Sequence, residues 1–111
     1  MRPVPPDYIM TVEMCPQDPD DFNRWYSEEH LPLVVRIPGY LRTLRYRIGP
    51  LTPVTEEDVP TYLTVHEMED LGGFASEEAK QSIETAWTKK QMAESRVFVS
   101  RGWRLVYSEG F

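Results

Sequence analysis

Residues 20–32 read DDFNRWYSEEHLP, and residues 37–40 read IPGY. Six residues repeat at helical spacing and form a predicted buried stripe: Phe22, Trp25, Tyr26, Glu29, Leu33 and Ile37. Asp18 or Asp20 is suited to cap this helix, and Gly39 to end it. Pro32 lies inside the pattern and predicts a kink or a break directly after His30. The stretch therefore predicts an amphipathic helix that carries one of the chain's two histidines.

The other elements lie on either side of this helix. Runs rich in β-branched and aromatic residues predict strands at 8–14, 40–48, 62–67 and 96–107, the last most clearly at 103–107. A second long helix is predicted from Ser76 to about Ser95, and residues 49–60 form a predicted loop. The order β-α-β-β-α-β predicts the ferredoxin-like α+β fold, in which a four-stranded antiparallel sheet carries both helices on one face. Residues 1–111 are expected to form this single domain.

Composition narrows the classes of function. The formal net charge of −6 argues against nucleic acid and anionic membranes as partners, since both require a basic patch. The sequence has no apolar run of about 18 residues, and its proline-rich start lacks the apolar stretch of a signal peptide. The single cysteine, Cys15, makes no internal disulfide and suits a reducing compartment. A cytoplasmic location is therefore expected.

One face of the predicted sheet has no helix to cover it. A domain of 111 residues buries only about two thirds of its unfolded surface, so a shared interface would supplement its core. Two copies that pack their uncovered sheet faces together would supply that interface, and two-fold dimers are the commonest oligomers. A homodimer is therefore expected.

The first helix and the turn after it carry a motif, Phe22-x-x-Trp25-Tyr26-x-x-Glu29-His30-x-Pro32 followed by IPGY at 37–40. With these residues, and with weaker matches at 42–47 and 85–88, the chain resembles the dimeric α+β-barrel superfamily and its EthD-like proteins. The resemblance implies one pocket per subunit, between the curved sheet and its helices. Relatives include polyketide cyclases, muconolactone isomerases, decarboxylases and cofactor-free monooxygenases, and others bind haem or have no known activity. A shared fold does not choose among these activities.

His30 is the predicted catalytic acid/base. Imidazole titrates close to neutrality, and apolar surroundings would keep it neutral and ready to accept a proton from a phenol or an activated methylene. The alternative is that His30 caps the broken helix by bonding a backbone group near Pro32. Glu29 could orient His30. A tyrosine hydroxyl would stabilise the carbonyl charge that grows during enolisation, with Tyr26 assigned to the catalytic pair and Tyr46, Tyr62 and Tyr107 as further candidates.

Several aromatic residues are predicted to bind the substrate, because broad ring faces suit a flat ligand. His66 shares a strand face with Tyr62 and Thr64, and that face turns either to the pocket or to the dimer barrel. The predicted substrate-binding residues are Trp25, Tyr46, Tyr62, His66, Trp87 and Trp103. The arginines Arg42, Arg45 and Arg47 are expected to oppose surface acids, although one could bind a substrate carboxylate.

Motifs for metals and nucleotides are missing from the sequence. It has no Cys-x-x-Cys, no His-x-x-x-His, no calcium loop and no glycine-rich phosphate cradle. No metal or cofactor is therefore expected, although one histidine suffices to ligate haem. With His30 as acid/base, the resemblance implies a cofactor-free cyclase, isomerase or decarboxylase that moves protons on a small aromatic or polyketide-like molecule. A cofactor-free monooxygenase and a non-catalytic small-molecule-binding dimer are the alternatives.

Overall fold

A computed structural model describes residues 5–49 and 61–110, so most of the loop predicted at 49–60 lies outside the described residues. The strands are β1 (Tyr8–Met14), β2 (Tyr40–Arg47), β3 (Tyr62–Met68) and β4 (Phe98–Arg104). The helical elements are α1 (Pro19–Trp25), a π-helical turn (Tyr26–His30), α2 (Leu31–Val34), a 3-10 turn (Gly72–Ala75), α3 (Glu77–Glu84) and α4 (Ala86–Glu94). Within these ranges the strands form one antiparallel sheet in the order β2-β3-β1-β4. The predicted ferredoxin-like α+β fold is confirmed.

The two faces of the sheet differ in what covers them. The inner face meets the helices, and its side chains at Met14, His66 and Met68 are buried. Thr43 of β2 lies opposite His66, and Ser100 of β4 lies opposite Val12. The inner face therefore continues onto both edge strands. The outer face has no helix over it among the described elements. Its apolar side chains are Ile9, Leu44, Tyr46, Leu63, Val65, Val99 and Trp103.

The first helix follows the prediction at its start and changes form before Pro32. Asp18 is the N-cap, and its carboxylate accepts a hydrogen bond from the backbone N–H of Asp21 at 3.2 Å. Between α1 and α2 the chain widens into the π-helical turn, where the N–H of Leu31 bonds the carbonyl of Tyr26, five residues earlier. Pro32 has no N–H to give to the carbonyl of Glu28, and its ring crowds that carbonyl. The predicted irregularity is therefore a π turn that precedes the proline.

The second helix is split, whereas the sequence predicted one helix from 76 to about 95. Ser76 caps α3 as expected, but Thr85 adopts an extended conformation with φ −67° and ψ 154°. Its hydroxyl accepts from the N–H of Thr88 at 3.1 Å and donates to Glu29 Oε2 at 2.9 Å. A threonine hydroxyl that caps a new helix competes with the helical ladder, and this competition ends α3 and begins α4.

The last strand is shorter than predicted and lies earlier in the chain. β4 pairs with β1 from Phe98 to Arg104, where Arg104 lies opposite Tyr8, the first residue of β1. No further residue of β1 remains as a partner, so Val106 and Tyr107 are 93% and 72% exposed. β4 lies inside the predicted range of 96–107, but the part expected most clearly, 103–107, belongs to the strand only as far as Arg104, because the apolar residues after it are not matched by a neighbouring strand.

Two buried clusters hold the helices on the inner face of the sheet. Their members are Met14, Phe22, Trp25 and Tyr26 in one, and Val34, Ile37, Met68 and Ala79 in the other. Both clusters lie against the π turn and α2, so the segment that carries His30 is anchored at its two ends. In the parts of the chain that the structure describes, no helix has the length and hydropathy to span a bilayer.

Candidate functional site

A cavity of about 290 Å³ lies between the inner face of the sheet and the helices. The sheet contributes Met10, Val12 and His66 to its wall, and the helical side contributes Trp25, Tyr26 and His30 among others. Most of the remaining lining is aliphatic, so few polar groups face the space. Ligand sites combine such apolar walls with a small number of convergent polar groups. The polar residues in this lining are Tyr26, His30, His66, Ser82, Thr88 and Ser100.

His30 is held on two sides by aromatic rings and on one edge by backbone. Its ring lies parallel to the indole of Trp25, with centroids 4.4 Å apart and planes inclined by 19°, and edge-on to Tyr26 at 5.1 Å. Its Nδ1 lies 3.1 Å from the carbonyl oxygen of Ser82, at the end of α3 nearest Thr85. His30 therefore both lines the cavity and hydrogen-bonds a backbone carbonyl.

The Ser82 contact fixes the protonation of His30. A carbonyl can only accept, so Nδ1 carries the proton of the neutral ring and Nε2 keeps a lone pair. Burial lowers the pKa of His30 to about 4, the Ser82 carbonyl opposes this by favouring the charged form, and the charge of Arg45 lowers the pKa further. No residue in the described ranges hydrogen-bonds Nε2. His30 therefore offers a neutral imidazole with an unpartnered basic nitrogen in an apolar cavity.

Tyr26 and His66 form the second polar feature of the cavity. The Tyr26 hydroxyl lies 3.3 Å from His66 Nε2, and His66 Nδ1 lies 2.8 Å from Thr43 Oγ1. Burial raises the pKa of Tyr26 to about 12 and lowers the pKa of His66 to about 4. Both groups are therefore neutral near pH 7, so the pair exchanges hydrogen bonds between uncharged partners.

Arg45 lies against Tyr26 without a carboxylate partner in the described part of the chain. Its guanidinium carbon is 4.1 Å from the Tyr26 ring centroid and 5.4 Å from that of Phe22. One terminal nitrogen donates to Asn23 Oδ1 at 2.9 Å, and Nε is buried without a hydrogen-bond partner there. The positive charge acts to lower the pKa of both Tyr26 and His30, so it favours a neutral His30 and negative charge on the Tyr26 oxygen.

The structure brings together four of the predicted site residues. Trp25, Tyr26, His30 and His66 all line the cavity. Trp25 also donates from Nε1 to Thr88 Oγ1 at 2.9 Å, which fixes the indole plane on which His30 stacks. His66 lies on the inner face of the sheet, so its side chain faces the pocket and not the side opposite the helices.

The other four predicted residues do not line this cavity. Tyr46 and Trp103 lie on the outer face of the sheet, 52% and 47% exposed, because their strand positions alternate with those that point inward. Tyr62 lies on the inner face but packs on Phe22, with ring centroids 5.0 Å apart. Trp87 is tied to α1 by a hydrogen bond from Nε1 to Asp21 Oδ2 at 3.2 Å. The predicted contact of these residues with a substrate in the cavity is corrected accordingly.

Two roles weighed from the sequence also change. Glu29 accepts from Thr85 at 2.9 Å and has no side-chain hydrogen bond to His30, whose orienting partner is the Ser82 carbonyl. Of the arginines, Arg42 pairs with Glu67, which is a buried acid and not a surface one, whereas Arg45 packs on aromatic rings. No group of three histidine, cysteine or acidic side chains converges on a metal position within residues 5–49 and 61–110.

Sequence reasoning missed the residues that support the cavity groups. Ser82 acts through its backbone carbonyl, and a carbonyl leaves no signal in the sequence. Thr43 hydrogen-bonds His66. The alternation of side chains along β2 could have indicated this residue, since Thr43 and Arg45 share a face. The opposite face of β2 carries apolar residues, and it therefore resembles a face that packs on the core.

Comparison with known proteins finds similarity in structure alone. No protein-family model matches the sequence, and no curated protein matches it. A dimeric ferredoxin-like protein from an uncultured marine organism has a TM-score of 0.65 at 11% identity, over 96% of this chain and 92% of that one. SnoaB, a cofactor-independent oxygenase from Streptomyces nogalater, has a TM-score of 0.57 at 14% identity, with coverage of 94% and 96%.

An EthD family protein from Bacillus halodurans is also similar, with a TM-score of 0.52 at 18% identity over 89% of this chain and 97% of that one. Identities this low carry information about the fold and none about the reaction. The element order, the antiparallel sheet and these similarities agree with one another. The chain has the ferredoxin-like α+β fold, and these solved proteins are similar to it in that fold.

Proposed function

We propose that this protein is a cofactor-free enzyme that moves protons on a small aromatic or polyketide-like molecule, as a cyclase, isomerase or decarboxylase. The observation that carries the proposal is the state of His30. Its Nδ1 is occupied by the Ser82 carbonyl, its Nε2 is unpartnered within the described residues, and the ring lines an apolar cavity. A positioned neutral imidazole is the commonest general base in enzymes.

The cavity limits the substrate to a small and mostly apolar molecule. Its volume of about 290 Å³ lies near the lower limit of ligand sites, which span roughly 300–1,000 Å³. The wall is mainly aliphatic and aromatic, with Met10, Val12 and Val34 beside the indole of Trp25. A compound of one or two rings with a carbonyl or phenol group suits this space, since one polar edge can meet the histidines while the ring contacts the wall.

The proposed chemistry divides one proton transfer between two groups. His30 Nε2 takes a proton from a carbon next to the substrate carbonyl, and the electron pair of the C–H bond moves into an enolate. The Tyr26 hydroxyl donates a hydrogen bond to the enolate oxygen, where the charge develops. The charge of Arg45, 4.1 Å from the Tyr26 ring, favours this transfer because it stabilises negative charge on the tyrosine side. Return of the proton to another carbon gives isomerisation, and attack of the enolate on a second carbonyl gives cyclisation.

The two alternatives each have an observation in their favour. SnoaB is itself a cofactor-independent oxygenase, and a carbanion made by His30 could in the same way react with oxygen. A non-catalytic binder would need the His30–Ser82 bond only to fix the cavity wall. Acid–base chemistry accounts for more of the geometry than a packing role, because a packing role does not require Nε2 to lack a partner beside the Tyr26–His66 pair. The oxygenase alternative uses the same base and differs in consuming oxygen.

The experiment uses His30→Gln, which keeps hydrogen bonding and removes the base. Thermal shifts across a panel of phenolic polyketides identify ligands, and turnover of those ligands is then followed by absorbance and mass spectrometry. We expect His30→Gln to stay folded and to lose about 10²–10⁴-fold in turnover, the range for general acid–base groups. Glu28→Gln is the matched control, since Glu28 is exposed and pairs only with Arg24. Full turnover in His30→Gln would overturn the assignment.

The protein is also proposed to act as a homodimer that packs through the outer face of the sheet. The outer face carries seven apolar side chains with no helix over them in the described structure, and one similar solved protein is a dimeric ferredoxin-like protein. The cytoplasmic location and the lack of a metal or cofactor stay predictions from the sequence.

A further inference from the structure

We propose that Tyr26, His66, Thr43 and Tyr40 form a proton relay that runs from the cavity to the edge of the sheet and restores the proton that Tyr26 gives to a substrate oxygen. The proposal rests on the proposed function, because it assigns a supply of protons to the same cavity. It adds Thr43, which neither the motif nor the cavity lining identifies, and Tyr40, which ends the IPGY motif and does not line the cavity.

The relay is a continuous chain of hydrogen bonds. Tyr26 Oη lies 3.3 Å from His66 Nε2, His66 Nδ1 lies 2.8 Å from Thr43 Oγ1, and Thr43 Oγ1 lies 2.8 Å from Tyr40 Oη. At its inner end Tyr26 is 2% exposed and lines the cavity. At its outer end Tyr40 is half-buried on β2, an edge strand of the sheet. The chain therefore connects the cavity to a position near solvent at the edge of the sheet.

A β-bulge places Tyr40 and Thr43 next to each other. In a regular strand, residues three apart point to opposite faces of the sheet. Here the register shifts between Tyr40 and Arg42, so Tyr40 lies opposite Met68 while Thr43 lies opposite His66. Met68 and His66 are both buried on the inner face, and the extra residue brings both hydroxyls to that face. Bulges of this kind re-aim side chains and occur often beside active sites.

The chemistry of the four groups makes the chain directional. The Thr43 hydroxyl has one proton, so it can donate to only one of its two partners. A neutral His66 has one N–H and one nitrogen lone pair, so it donates to one of its partners and accepts from the other. If Thr43 donates to His66 Nδ1, then Tyr40 donates to Thr43 and His66 donates from Nε2 to Tyr26. The side chain of buried Thr64 also hydrogen-bonds Tyr26 and acts to lower its pKa, as a donor to the Tyr26 oxygen does. With His66 and Thr64 both donating to that oxygen, the Tyr26 proton is free to point into the cavity. In the opposite direction, Tyr26 donates to His66 and has no proton for a ligand.

The proposed transfer conserves protons at every step. When Tyr26 gives its proton to the substrate oxygen, its own oxygen takes the proton of His66 Nε2, and His66 Nδ1 takes the proton of Thr43. Thr43 takes the proton of Tyr40, which takes one from solvent. When the substrate oxygen returns its proton later in the turnover, each step runs backwards and the first state is restored. A phenolate of Tyr26 is thereby avoided in the cavity, where charge is poorly solvated.

The first test reads the direction of the chain without a substrate. Nitrogen-15 NMR of the His66 ring distinguishes a proton on Nε2 from one on Nδ1. We expect the resting protein to carry the proton on Nε2, and we expect Thr43→Val, which removes the donor to Nδ1 at nearly constant volume, to change the tautomer populations. A resting Nδ1–H tautomer would overturn the proposal, because the Tyr26 proton would then be engaged by His66.

The second test measures turnover, and it distinguishes the role of the relay residues from that of His30 as the base. We expect Thr43→Val and Tyr40→Phe to lower kcat by on the order of 10²-fold, the lower end for one proton-transferring group, with little change in KM. Thr43→Ser keeps a hydroxyl and should recover activity. Tyr46→Phe is the control, because Tyr46 lies on the same strand but on the outer face.

The outcomes distinguish this proposal from the proposed function. Full activity in Thr43→Val and Tyr40→Phe, together with an inactive His30→Gln, would overturn the relay and leave the acid–base function in place. Loss of activity in the two relay variants, together with full activity in His30→Gln, would support the relay and overturn His30 as the base.

Discussion

The imidazole of His30 stacks on the indole of Trp25, five residues earlier, with ring centroids 4.4 Å apart. In a regular α-helix, side chains five residues apart point about 140° away from each other, because each residue turns the helix by about 100°. The wider π turn over Tyr26–His30, bonded over five residues, brings these two side chains to the same side. The position of the proposed base therefore depends on a local departure from α-helical geometry.

This dependence predicts the effect of Pro32→Ala. An alanine N–H can bond the carbonyl of Glu28, which allows the π turn to relax toward an α-helix and turns His30 away from Trp25. In wild type, proton NMR should show His30 ring signals shifted upfield by the indole. We expect this shift to be lost in Pro32→Ala, with the urea unfolding midpoint unchanged or higher. Unchanged His30 signals in a folded variant would contradict the role given to Pro32.

The two histidines predict how stability depends on pH. Burial holds the pKa of His30 and His66 at about 4, whereas the unfolded chain restores both to about 6.5. Between these values the unfolded state binds more protons, so the free energy of unfolding falls as pH falls from about 6.5 to about 4. Each histidine contributes up to about 3 kcal/mol to this loss, since one pKa unit corresponds to about 1.4 kcal/mol.

Urea unfolding at pH 7 and pH 5 measures this dependence. The double variant His30→Gln with His66→Gln should show a much smaller difference between the two pH values. Asp21, whose pKa is lowered chiefly by its hydrogen bond from Lys90, titrates below this window and does not interfere. Equal pH dependence in wild type and double variant would show that the histidines are not held neutral by the fold.

Some elements could be predicted from the sequence because local signals agreed with tertiary packing. β1 was predicted at its observed bounds, since a run of β-forming residues is followed closely by Pro16. The helix with His30 was predicted because its apolar stripe packs on the sheet. Pro32 indicated an irregularity, but the sequence did not show that it would be a π turn on the N-terminal side of the proline.

The rest of the site could not be predicted, because the determining contacts are between distant segments. On β2 the apolar positions Leu44 and Tyr46 resemble a core face, yet the inner face carries Thr43 and Arg45. Local alternation shows that two faces differ and does not show which one meets the helices. The contact that fixes His30 is a backbone carbonyl 52 residues away in sequence, and no side-chain pattern encodes it.

Gly73 is predicted to be essential for docking the second helical region. A Cβ at this position would lie 2.0 Å from the carbonyl oxygen of Pro38, and a backbone oxygen cannot move away as a side chain can. Gly73→Ala should lower the free energy of unfolding by about 1–3 kcal/mol or more, as overpacking does. Gly49→Ala is the control, because no atom of residues 5–49 or 61–110 lies within 4 Å of its added Cβ. Equal urea midpoints for the two variants would contradict this close approach.

The last prediction concerns the outer face of the sheet. If two chains pack through it, a charge added at its centre must be taken out of water, which costs several kcal/mol. Light scattering should give wild type twice the 13.0 kDa mass of the chain at micromolar concentration. Val65→Lys should give a folded monomer or a dimer that dissociates on dilution, because Val65 lies on β3 inside the outer face. Val35→Lys, at an exposed position on the helical side, should stay dimeric. A monomeric wild type, or dissociation by Val35→Lys alone, would rule out dimerisation through the sheet.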